Sequence, residues 1–100
     1  MNYCSVQNNK EHLITLIKWL IAEVASAGGD GDAMWYSKHY SVKDIKELII
    51  KENLCGKWWE IAFETEDTFC IGSNQEWLCI TNDKELFDSR PPWDGCAIEF

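Results

Sequence analysis

The sequence predicts an α+β fold in which two N-terminal helices pack on one face of a three- to four-stranded antiparallel sheet. Apolar residues recur with a helical period through the first half, and the period falls to two from Lys57 onward. The 46% hydrophobic and 26% charged content of 100 residues supplies enough apolar surface for one core without staples. The chain therefore reads as a single domain, residues 1–100, helical over 1–56 and β-rich and acidic over 57–100.

The first helix is expected from "NNKEHLITLIKWLIAEVASAGG". Asn8 stands three residues before Glu11, a capping-box spacing, and Gly28 suits the position after the helix end. Leu13, Leu16, Ile17, Leu20 and Val24 form one face, which Ile14 and Ile21 widen, and Trp19 falls at its margin. The next stretch, "GGDGDAMWYSKHY", is rich in glycine and aspartate and reads as a loop. Its "DGD" lacks the spaced ligands and closing Glu of a calcium loop. Ser41 then stands three before Asp44, and Val42, Ile45, Leu48 and Ile49 define a second amphipathic helix ending near Asn53.

From Lys57 three strands follow. Neighbouring residues of a strand point to opposite faces, so Trp58 and Trp59 must part company. A connection at Thr65–Asp67 sets Phe63 opposite Phe69 and Ile61 opposite Ile71. A second, at Ser73–Glu76, sets Ile71 opposite Leu78 and Phe69 opposite Ile80. Trp59, Ile61, Phe63, Phe69, Ile71, Leu78 and Ile80 become the core face, because a slip of one residue would turn that set to water. The other face carries Trp58, Glu60, Ala62, Glu64, Thr68, Cys70, Gly72, Trp77, Cys79 and Thr81, with Trp77 lying across the gap at Gly72. Asp83–Phe87 suits one helical turn, Pro91 and Pro92 end it, and "CAIEF" suits a last strand with Cys96, Ile98 and Phe100 inward.

Charge narrows the function. Residues 1–57 hold seven lysines and seven acids, whereas residues 58–100 hold ten acids against Lys84 and Arg90. The whole net charge of −8 thus lies in the C-terminal half. Such a surface repels nucleic acid and anionic membrane and attracts basic proteins. Five cysteines at irregular spacing, without a CxxC pair, read as reduced thiols, and no metal or cofactor pattern is present. No leader or spanning stretch is evident, so the chain reads as cytoplasmic. His12 and His39 have no motif partner, and "GGDGD" lacks the spacing and lysine of a phosphate loop, so no catalytic residue is assigned.

Trp58, Glu60, Glu64, Trp77, Asp83, Glu85, Trp93 and Asp94 are the candidate partner-binding residues. Aromatic side chains form interface hot spots, and a field of one sign selects a partner of the other. In small size, acidity and these acidic and aromatic residues, the chain resembles the bacterial immunity proteins that neutralise nuclease colicins and contact-dependent inhibition toxins. The resemblance implies direct blockage of a basic toxin domain, while the charge split and the face assignment lead to the expectation that Trp58→Ala weakens binding and Trp59→Ala weakens the core. The alternatives are a phage-encoded inhibitor of host defence and a small enzyme with a thiol site on Cys70 or Cys79.

Overall fold

The computed structural model describes residues 6–26, 32–57, 59–73, 76–89 and 96–99. Within them lie α1 (Val6–Ala25), β1 (Asp32–Tyr36), α2 (Val42–Glu52), β2 (Glu60–Ala62), β3 (Thr68–Ser73), β4 (Glu76–Thr81), α3 (Lys84–Asp88) and β5 (Cys96–Glu99). The class is α+β, as expected, but the sheet is mixed rather than antiparallel. Its five strands run in the order β2-β3-β4-β1-β5, with β1 parallel to both β4 and β5.

The helices form where the apolar period placed them. α1 buries Leu13, Ile17, Leu20 and Val24, with Leu16 and Ile21 partly buried beside them and Trp19 left 46% exposed. It begins at Val6, so Asn8 lies within the helix rather than at its cap. The expected helix end at Gly28 lies outside the described residues. α2 has both predicted ends. The Ser41 hydroxyl accepts from the Asp44 backbone N–H at 3.1 Å. Asn53 adopts the left-handed conformation, and its N–H reaches the carbonyls of Ile49 and Ile50.

The largest correction concerns residues 32–36, read above as loop. They form β1, a central strand on which Ala33, Met34 and Trp35 are all buried, Trp35 completely. A strand flanked by parallel neighbours is covered on both faces, so its apolar run is continuous instead of alternating. The period-two signature that identified the other strands is absent here for that reason.

The antiparallel part follows the predicted register. Glu60 pairs with Gly72, Ile61 with Ile71 and Ala62 with Cys70. On the other side of β3, Phe69 pairs with Ile80, Cys70 with Cys79, Ile71 with Leu78 and Gly72 with Trp77. One sheet face presents Ala33, Trp35, Phe69, Ile71, Leu78 and Ile80 to α1 and α2, and Trp59, Ile61 and Ile98 border this core. Phe100 and the predicted turn at "WDG" lie outside the described residues.

Phe63 departs from its expected place. β2 stops at Ala62, and Phe63 has a φ of +55° and is 69% exposed. The left-handed backbone turns the chain over, so the alternation fails at this residue. Glu64, expected on the outer face, instead turns to the helical side and forms an ion pair with Lys46 of α2. Phe63 and Glu64 have thus exchanged the faces assigned to them.

Candidate protein-interaction site

The outer face of the sheet has two unlike ends. At one end, the C-terminal ends of β4 and β1, α3 closes over Tyr36. Asp83 caps α3 by accepting from the N–H groups of Glu85 and Leu86. Phe87 is buried with its ring 5.8 Å from that of Tyr36. The Lys84 ammonium lies over both rings, 5.2 and 5.4 Å from their centres, and pairs with Glu99 at 2.7 Å and Asp88 at 3.3 Å. Glu99 also meets Lys38 at 3.2 Å. Hydrogen bonding to Glu99 raises the Lys84 pKa, and the same contact, followed by Lys38, lowers that of Glu99.

Polar groups beneath this end are equally well matched. Thr81 is fully buried, and its hydroxyl lies 2.8 Å from that of Thr68 and donates to the Asp67 carbonyl at 3.2 Å. The Asn82 amide donates to the carbonyls of Ser37 and Tyr40, both at 3.0 Å, while its oxygen accepts from the Val42 N–H at 2.8 Å. One side chain therefore ties together the end of β1, the start of α2 and the end of β4.

The opposite end holds Glu60, Gly72 and Trp77 in one row across β2, β3 and β4. A Cβ built on Gly72 would lie 1.9 Å from the Glu76 carbonyl oxygen and 2.7 Å from Cε3 of Trp77, so only glycine lets the indole lie there. Phe63 meets Trp77 edge to face, with ring centres 5.1 Å apart and planes at 64°. Near this pair stand Glu60, in the same row, and Glu76, next to Trp77 in β4. Among the described residues neither of these two carboxylates takes part in an ion pair.

The predicted site residues are thus only partly gathered. Glu60 and Trp77 share the open end. Glu64 borders a groove beside α2 with Val42, Lys43 and Lys46. Asp83 and Glu85 stand beyond the other end of β4 from Trp77, past Thr81, which is itself about 13 Å from Trp77 at strand rise. Trp58, Trp93 and Asp94 lie outside the described residues. Sequence reasoning missed Phe63, since nothing in its pattern announces a left-handed residue that is not glycine or asparagine. Among the described residues no group of three His, Cys, Asp or Glu side chains is placed to hold a metal, and no helix is long and apolar enough to cross a membrane. Compared with known proteins, the chain matches no family model, no curated protein and no solved structure.

Proposed function

We propose that the protein is a binding module that engages a basic protein through the Phe63–Trp77 end of its sheet, in the manner of an immunity or antitoxin protein blocking a toxin domain. The carrying observation is the state of Phe63. A bulky residue at positive φ costs about 1–3 kcal/mol. Leaving its ring in water also forgoes roughly 1.5–3 kcal/mol of burial. Both costs are met at a residue whose register position faces the core, and the result is an exposed Phe63 ring packed on a half-buried Trp77, beside carboxylates that no ion pair among the described residues neutralises. Exposed aromatics supply contact area at small entropic cost, and the surrounding acids favour a basic partner and speed its approach. Nuclease domains present basic clefts to their substrates, which makes a nuclease toxin the partner chemistry best suited to this surface.

Titration calorimetry against the product of the adjacent gene tests the proposal. Phe63→Ala and Trp77→Ala should each weaken binding by roughly 2 kcal/mol, and rising salt should weaken it further. An acidic gene product, or binding unchanged by both substitutions, would overturn it.

A further inference from the structure

Beside the Glu60–Gly72–Trp77 row runs a second row on the same outer face, and it contains sulfur. Cys70 of β3 pairs directly with Cys79 of β4, and Cys79 pairs in turn with Met34 of β1. Both cysteines are free; Cys70 is 5% exposed, whereas Cys79 is half-buried. Directly opposed residues of an antiparallel pair have Cα atoms about 4.5 or 5.5 Å apart, inside the span a disulfide tolerates. Their Cβ atoms lie about 4.5–5.5 Å apart, at or beyond the upper end of the disulfide range, so a bridge closes with a small approach of the strands and is readily reduced again. Cys55 packs against the core on the other side of the sheet, and burial pushes its thiol pKa up. The contact with Cys70 holds the Cys79 thiol below its ordinary range, outweighing burial and the charge of Asp32, and raises Cys70. With no third ligand gathered among the described residues, thiol–disulfide chemistry suits the pair better than metal binding.

We propose that Cys79 and Cys70 form a reversible oxidation site for hydroperoxides, Cys79 as the attacking thiol and Cys70 as the resolving one. The Cys79 thiolate attacks the peroxide, the O–O bond breaks, and the departing oxygen takes up a proton, leaving Cys79 as a sulfenic acid. The Cys70 sulfur then displaces the sulfenic hydroxyl, which leaves as water with the Cys70 proton. In sum two thiols lose two protons and two electrons, and a hydroperoxide becomes an alcohol, or water, plus one water.

Hydrogen peroxide added to the whole protein, followed by non-reducing peptide mapping, tests this. The wild type should lose two hydrogens in a single bridge joining Cys70 to Cys79, and dithiothreitol should restore both thiols. Cys70→Ala should accumulate a sulfenic acid at Cys79 that dimedone traps, and Cys79→Ala should leave Cys70 reduced at the same dose. A bridge from either residue to Cys4, Cys55 or Cys96 would overturn the assignment, as would thiols that stay reduced. Should either variant fail to fold, alkylation of the wild type decides: Cys79 should react about tenfold faster than Cys70, and the reverse order would refute the assigned roles.

Discussion

The two ends of the outer sheet face are built from similar materials to different effect. Both bring aromatic rings together beside acids, Tyr36 and Phe87 at one, Phe63 and Trp77 at the other. At the α3 end Phe87 is buried and Glu99 and Asp88 meet lysines; at the Trp77 end Phe63 is exposed and Glu60 and Glu76 stand without ion pairs among the described residues. A folding core alone gains nothing from the second arrangement. On the function proposed above, the contrast separates an end closed by its own ion pairs from one left open to a partner.

Substitutions sharpen the contrast, because the closed end should answer in stability and the open end in binding. The largest loss is expected from Phe87→Ala, which empties a buried site and should cost about 3–4 kcal/mol in denaturant unfolding. A loss below about 1 kcal/mol would mean that α3 is not a structural lid. Asn82→Ala leaves the Val42 N–H and the Ser37 carbonyl without that partner and should cost about 2 kcal/mol. Phe63→Gly, by contrast, should change stability by no more than about 1 kcal/mol, since relief of the left-handed strain offsets the lost ring pair. Destabilisation matching that of Phe87→Ala would erase the distinction between the ends.

The smallest effect concerns pH. The Glu99 pKa is lowered, so its stabilising contribution is present above the ordinary value of 4.5 and is lost as pH falls through the lowered one. The Lys84 pKa is raised, so its contribution is present below 10.5 and is lost as pH rises through the raised value. Both side chains lie at the solvent-exposed surface, and the effect is correspondingly slight. Melting temperature should sag at both extremes, and Lys84→Ala should flatten both limbs; identical profiles would show the cluster to be energetically silent.

What could be read from the sequence was whatever obeys a simple period. The pairings of Ile71 with Leu78 and Gly72 with Trp77 follow from alternation and the connection lengths, since a slip of one residue turns the apolar set to water. The Ser41 cap follows from local hydrogen bonding. β1 escaped because burial on both faces removes alternation, and because glycines and aspartates just before it resemble a loop. The open end was half legible: Glu60 and Trp77 fell into place with the register, while Phe63 required a backbone conformation that its residue type disfavours.

The position of β1 has a consequence for synthesis. Its partners, residues 76–81 and 96–99, are the last parts of the sheet to be made. A nascent chain that has reached residue 57 holds Ala33, Met34 and Trp35 with both strand edges open, a template for pairing with other chains. Ordered assembly must wait for distant partners, which makes folding dependent on non-local contacts and slow for the chain's size. The helical and acidic halves suggested by composition are therefore not separable units: the first has its central strand, and the second has that strand's neighbours.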